Sequence, residues 1–443
     1  MAKQIVKQLA FGFQRKLRID FEGGTITSDA GLTLIREMDH RLGLTADAAS
    51  RVTDDRDQRY IDHDLTTLMR QRLYQIVAGY EDANDADRLR DDPTFKAVAS
   101  ESSSTLGSQP TLSRLENDID WSSIARLSKV GLDWFCQHAF DTDKQPKELI
   151  LDLDSTADPT HGAQQFALFH GGYNQHMYHP LCWFEGNTGL LLKTRLRPGL
   201  DRSATFVVED LNAIVPPLRK RFPKAKLRLR ADAGMATPDV ETALEEHQIE
   251  YVMGIGTNAV FKARIGKLKS KAEARYQRLQ HPVHVRTSFW HRARSWSHRR
   301  RILVKIDVTA MGLNIRFMIT NRKGSAKDLV SWYDQRGEAE NLIKELKLGM
   351  YADRLSCHRF RANAVRLQLH TIATLLMTYF RRSVLADTVL AQSSPDSIRI
   401  RLLKVGARVV QTARRIQFHI AAHWPGQDLF QHCHEFLLAS SSA

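Results

Sequence analysis

From Glu148 the chain alternates residue by residue. Leu149, Leu151 and Leu153 take one face of an extended segment, and Ile150, Asp152 and Asp154 take the other. That is the two-residue period of a strand. The same period returns at Leu227, Leu229 and Ala231, alternating with Arg228, Arg230 and Asp232. Between them lie strand-like runs near Met177–Phe184 and Gly189–Leu196, the latter ended by Arg197-Pro198-Gly199. A helix is expected over Ala204–Arg221, interrupted by Pro216-Pro217, then another over Thr237–His247 and a strand over Glu250–Ile255.

Three strands, a helix, a strand, a helix and a strand is the element order of a ribonuclease H-like fold. In that order one acid sits on the first strand and another at the end of the fourth, where Asp154 and Asp232 fall. Asp152 shares Asp154's face, so spacing alone leaves it open. Ser155-Thr156 after Asp154 suggests the exposed strand end and favours Asp154. The expected class is α/β: a ribonuclease H-like core interrupted by a β-rich insertion, with helical N- and C-terminal regions. The expected boundaries are a helical DNA-binding domain at 1–145, core at 146–256, a basic β-rich insertion at 257–320, core at 321–385 and a helical region at 386–443. In the first of these, Ser28 is read as the cap of a helix ending at Gly43. Asp64 is read as the cap of a second, and Ser108-Gln109-Pro110-Thr111 as the start of a third. Ser102–Ser104 and Ser440–Ser442 read as a loop and a frayed end.

A helix expected over Ala326–Leu348 carries Tyr333, Arg336, Glu340 and Lys347. At about 100° per residue these fall within roughly a 60° arc. Trp332, Leu342, Ile343 and Leu346 occupy another sector. An acid between two cations suits phosphodiester chemistry, since the carboxylate binds a metal ion while the basic groups hold phosphates. Magnesium needs few protein oxygens because it keeps its waters. Asp154, Asp232 and Glu340 are the candidate catalytic and metal-binding residues.

Charge agrees with that chemistry. The chain of 443 residues carries a formal net charge of +14, which favours a polyanionic partner. Phe261–Lys305 holds 14 Lys or Arg residues against one acid, Glu273, a local +13. Within it Trp290, Arg292, Arg294 and Trp296 interleave rings and cations. The tryptophans either stack on unpaired bases or belong to the core. His170, His176 and His179 show no metal-ligand spacing, and no Ser–His–Asp arrangement or phosphate loop is readable. The four cysteines lie far apart without a CxxC pair, as free thiols would in a reducing compartment. Ala362–Phe380 is broken by Arg366, Gln368 and His370 and reads as a buried helix. A cytoplasmic protein with no membrane partner is expected.

Tyr333-x2-Arg336-x3-Glu340-x6-Lys347 with the two upstream acids resembles the DDE transposases of bacterial insertion sequences that share this signature, the insertion sequence 1380 family among them. Leu151–Thr156 with His161-Gly162, Leu196–Gly199, Arg230–Gly234, Arg354–His358 and Ala362-Asn363 resemble that family's motifs, as do Gly79–Asp85 and Ser108–Thr111. The resemblance covers nearly the whole chain. It implies a ribonuclease H-like core, Mg²⁺ or Mn²⁺, and a homodimer that brings two terminal inverted repeats together before joining them to target DNA. It further implies that Tyr333, Arg336 and Lys347 grip DNA near the cut. Related enzymes excise through a hairpin, which suits the 107 residues between Asp232 and Glu340. A nuclease without strand transfer would use the same acids. A DNA-binding relative without catalysis would not need them.

Overall fold

The computed structural model describes residues 8–100, 105–140 and 145–439. Ser102–Ser104 and Ser440–Ser442 lie outside them. The chain divides into two compact units, Met1–Glu116 with Leu376–Ala443, and Asn117–Leu375.

The first unit joins the two ends of the chain. Ala407–Thr412 pairs antiparallel with Arg415–Ile420 on one side and with Ile26–Thr27 on the other. The C-terminal region is therefore not purely helical. Ala407 and Val409 are buried while Arg408 and Val410 are exposed, a strand period. Ala30, Val405 and Ala407 form a small core under Phe418, Ile420 and Trp424. The N-terminal part is helical behind these strands. Asp64 caps the helix Leu65–Ala78 by accepting the Thr67 N–H at 2.8 Å. The cap expected at Ser28 is not formed. Leu32–Leu42 starts after Gly31, which lies against the Leu402 and Leu403 backbone, where a Cβ would stand 2.0 Å from the Leu402 carbonyl. Ser28 instead donates to Asp29.

The second unit is built on one eight-stranded mixed sheet. Its strands are β1 (Glu148–Ser155), β2 (Leu181–Glu185), β3 (Leu190–Arg195), β4 (Lys226–Ala231), β5 (Glu250–Ile255), β6 (Val283–His291), β7 (Arg300–Thr309) and β8 (Gly312–Thr320). Their order across the sheet is β6-β7-β8-β5-β4-β1-β2-β3. β4 runs parallel to β1 and β5, and the other pairs are antiparallel. The expected run Met177–Phe184 is two strands, because His179-Pro180 breaks it. Gln175–Tyr178 joins Leu168–His170 and Asp158–Pro159 in a separate three-stranded sheet.

Helix α1 (Val207–Arg221) runs through Pro216 and Pro217 without stopping. Its buried face of Val207, Leu211, Ile214, Val215 and Leu218 outweighs the lost backbone bonds. Helix α2 (Pro238–Glu246) leads to β5.

The basic insertion differs from expectation in two ways. Its first part is the helix α3 (Ala259–Leu279), capped by Asn258 and anchored by Phe261, Ile265 and Ala272. Its strands β6, β7 and β8 extend the main sheet beyond β5 rather than forming a separate body. The expected helix over Ala326–Leu348 is also divided. Helix α4 (Ala326–Asp334) ends at Gln335, α5 (Gly337–Lys344) follows, and a π turn covers Glu345–Gly349. Helix α6 (Phe360–Tyr379) is the buried helix read at Ala362–Phe380. Among the described residues no helix is long and apolar enough to cross a membrane.

Gly131, in the helix Val130–His138, marks the closest approach to the sheet. A Cβ there would lie 2.6 Å from the Leu191 carbonyl and 2.7 Å from that of Leu192. Gly131→Ala should lose about 1–3 kcal/mol to this overlap, more than the ~1 kcal/mol of helix propensity it gains. A thermal melt should show a lowered Tm, and an unchanged or raised Tm would refute the tight contact.

Candidate active site

The parallel register of β1 and β4 places the two strand acids. Leu153 lies beside Ala231, so Asp232 leaves the end of β4 next to Asp154, which stays in β1 and pairs with Cys182 of β2. Neighbouring strands are about 4.8 Å apart. Asp154 is buried, with 8% of its surface exposed, and accepts the Ser155 N–H at 2.9 Å. Asp232 is half-buried and caps the short turn Ala233–Met235, accepting the Gly234 N–H at 3.0 Å. One layer back, Asp152 lies beside Arg230, which donates two bonds to it at 2.6 Å. Both are buried, and Arg230 also lies over the Trp332 ring. Asp152 is thus held in a closed ion pair, while Asp154 faces the open end.

The break between α4 and α5 sets the third acid. Arg336 stands at the break and points both guanidinium ends at acids. Nη1 donates to Asp154 at 2.7 Å and Nη2 to Glu340 at 2.7 Å. Glu340 is exposed on α5. Asp154 and Glu340 are therefore linked through a cation rather than in direct contact. Burial pushes the Asp154 carboxyl up to about 6, Arg336 opposes this, and the negative charge of Asp232 adds to it. Burial works against the charge of Arg336, but Asp154, then Tyr333 and Glu340, hold its pKa above the ordinary value.

Not all the expected DNA-gripping residues face outward. Tyr333 is buried at 8% exposure among Val252, Leu303, Met318, Leu329 and Val330. Its phenol lies beside Arg336, and burial, ahead of the other influences, raises its pKa. It supports Arg336 rather than meeting a strand. Lys347, on the π turn, donates to the Ala157 carbonyl and, at 3.4 Å, to Thr156. The helix break means that Tyr333, Arg336, Glu340 and Lys347 do not share the single straight edge expected of them.

Trp290 is exposed, with the Arg299 guanidinium over its ring. Trp296 is not available to stack on a base. It is 7% exposed in the turn between β6 and β7, packed against His291 and Arg300. Arg292 and Arg294 are exposed on that turn, and Arg292 donates to the Ser297 carbonyl at 3.0 Å. Strands β6 and β1 are five places apart, about 24 Å. This surface does not border the acids.

Beside the end of β1 lie His179, which the sequence offers as a structural or DNA-contacting residue, and Tyr173, which the sequence does not single out. His179 Nε2 lies 3.0 Å from Ser155 Oγ, and its Nδ1 lies 2.8 Å from the Asp201 carbonyl. Burial lowers the His179 pKa to about 4, so the ring is neutral and structural. Tyr173 packs between His170 and His179. Its phenol pKa is raised by burial and then by the charges of Asp232 and Asp154. The run of histidines at 170, 176 and 179 marks this cluster in the sequence, and Tyr173 lies within it.

The family model for Transposase DDE domain group 1 matches residues 9–442. The chain belongs to that family. Among solved structures it is similar to a piggyBac transposase synaptic complex with hairpin DNA, at 11% identity and a TM-score of 0.43, covering 94% of this chain and 82% of that one. Among curated proteins none matches.

DDE transposases generally use divalent metals, so the acids must be tested for fit. Among the described residues of this transposase, no three His, Cys, Asp or Glu side chains stand close enough together to hold an ion. The direct convergence of three acids expected from sequence is thus not present. The donors nonetheless suit a hard cation. Asp154 and Asp232 offer carboxylate oxygens at adjacent strand ends, and their mutual repulsion is what a divalent ion relieves. Glu340 is held apart from them, joined to Asp154 through Arg336.

A stability profile tests this electrostatic picture in the metal-free transposase. A carboxyl with a raised native pKa favours the fold while protonated. That contribution is complete below about pH 4 and lost as pH rises through about 6. Asp154→Asn should therefore be more stable than the parent near pH 7 in EDTA, by about 1–3 kcal/mol, with the advantage vanishing near pH 4. Urea unfolding at a series of pH values reads this directly. Parallel profiles for the two proteins would contradict it.

Proposed function

We propose that this chain is the transposase of a bacterial insertion sequence, similar to the insertion sequence 1380 family, and that Asp154, Asp232 and Glu340 form its catalytic triad of acids. The observation that carries the proposal is the linkage of Asp154 beside Asp232 and, through Arg336, to Glu340. The strand order β3-β2-β1-β4-β5 supports reading the centre of the sheet as ribonuclease H-like. Asp154, Asp232 and Glu340 would hold Mg²⁺ or Mn²⁺. When bound, such ions activate the attacking oxygen and stabilise the leaving one.

The side chains divide the remaining work. Arg336 neutralises Asp154 and Glu340 while the site is closed, and is placed to pair with a phosphate when those acids take up cations. Tyr333 supports Arg336 from the core. Lys347 steadies Thr156 and Ala157 at the end of the first acidic strand, and its charge faces the same opening. The substrate is a terminal inverted repeat, the product is that end joined to target DNA, and a homodimer brings two ends together. Residues 1–145 are the proposed reader of the end sequence. Excision through a hairpin is the companion proposal. It rests on the 107 residues between Asp232 and Glu340.

The test combines terminal-repeat DNA, a target plasmid and Mg²⁺ with the purified protein. The parent should yield joined products, whereas nicks alone would mean a nuclease. Asp154→Ala, Asp232→Ala and Glu340→Ala should each abolish cutting and joining while keeping end binding. Mg²⁺ should raise the Tm of the parent but not of Asp154→Ala. Full cleavage by any of the three variants would remove that residue from the proposal.

A further inference from the structure

A line of exposed rings runs beside the acids and is not used by the chemistry above. Tyr173 is 48% exposed, and its phenol lies in the field of Asp232 and Asp154. Tyr173 is in the turn of the small sheet's hairpin; Phe169 on its strand and Phe166 in the turn before that strand are also open, at 47% and 57% exposure. Phe166 meets buried Phe360 edge-on at 5.4 Å, and Phe360 meets Trp121 at 6.1 Å. Trp121 is 54% exposed.

Trp121 forms one wall of a cavity of about 250 Å³. Lys129, Lys193 and Arg195 line it, and no acid does. The one carboxylate behind them, Asp210, is buried and shared between Lys193 and Arg195. The site is therefore electropositive with an apolar wall, the combination that takes a phosphate with a base attached. It is also close to the acids. Thr194, on its lining, follows Cys182 and Asp154 in register across β3, β2 and β1, about 10 Å from end to end.

The geometry points to a path for unpaired DNA, in which successive bases of the cut strand stack on Tyr173, Phe166 and Trp121 and a nucleotide enters the cavity. The occupant is a single strand rather than a duplex or a protein. A cavity of this size admits one base or phosphate and no double helix. Flat rings offered singly beside cations match what unpaired strands need. The path also begins at the acids proposed to cut the strand. The inference rests on that reading of the acids, but binding can be measured without cleavage.

The experiment measures binding of a fluorescent oligothymidylate of about 15 nucleotides, and of a duplex of equal length, to the full chain in EDTA. Trp121→Ala and Tyr173→Ala should each weaken single-strand binding about fivefold or more, and leave duplex binding within about twofold. Trp121→Phe and Tyr173→Phe should restore it. Photocrosslinking of 5-iodouracil oligonucleotides to the unsubstituted protein serves where an alanine variant does not fold, and should label Trp121, Phe166 or Tyr173. Unchanged affinity in the folded double alanine variant, equal losses for duplex, or crosslinks only elsewhere would overturn the path. A protein that binds through these rings but never cuts would sink the proposed chemistry and leave the path standing.

Discussion

Two parallel strands in fixed register force a charge problem at their open ends. In the layer Asp152–Arg230 the facing residues are opposite in sign, and the pair closes as a buried ion pair. One step beyond the paired register Asp154 lies in the field of Asp232, like against like. The register that neutralises one layer unbalances the other. Burial of Asp154 sharpens the imbalance, since a charge in a low-dielectric setting is costly unless matched. A cation must come from outside the two strands, and in this structure Arg336 supplies it.

That requirement shapes the helices above the sheet. Tyr333, on α4, has to pack into the core against β5, β7 and β8, while Arg336, three residues on, has to reach across to β1. The break at Gln335–Arg336 separates these two demands. It lets α4 pack its buried face on the sheet, while α5 carries Glu340 one turn beyond Arg336. The guanidinium then spans the first and third acids with one bond to each. Such a bridge holds the two acids in place and leaves Glu340 exposed.

The strands and acids could be read from sequence because each strand pairs a two-residue period with an abrupt polar end. Asp154 could be separated from Asp152 only by the Ser155-Thr156 signal, and the deciding partner of Asp152, Arg230, is distant in sequence. The helix α3 was hidden by its own charge. Only Phe261, Ile265 and Ala272 are buried in it, too few to register as an apolar stripe among so many cations. Trp290 and Trp296 look equivalent in sequence, yet a strand exposes one and a turn buries the other. Pro216-Pro217 suggested an interruption that tertiary packing overrides. The pairing of Ile26–Thr27 with Ala407–Thr412 joins residues nearly the whole chain apart, which no local pattern reports.

The placement of charge carries the argument one step further. The basic stretch packs α3 on β6 and β7, at the edge of the sheet about 24 Å from the acids. At 3.4 Å per base pair that distance is about seven base pairs. Cations so placed cannot steady the phosphate being attacked, and their effect is instead on duplex lying beyond the cut. On the proposed chemistry the attacked phosphate would be held by a cation nearer the acids, and Arg336 bonds Asp154 at 2.7 Å. Affinity and chemistry are thus assigned to different edges of one sheet. On the proposed function, loss of basic residues on α3 should weaken the grip on duplex and its salt dependence, whereas loss of Arg336 should act on the reaction itself.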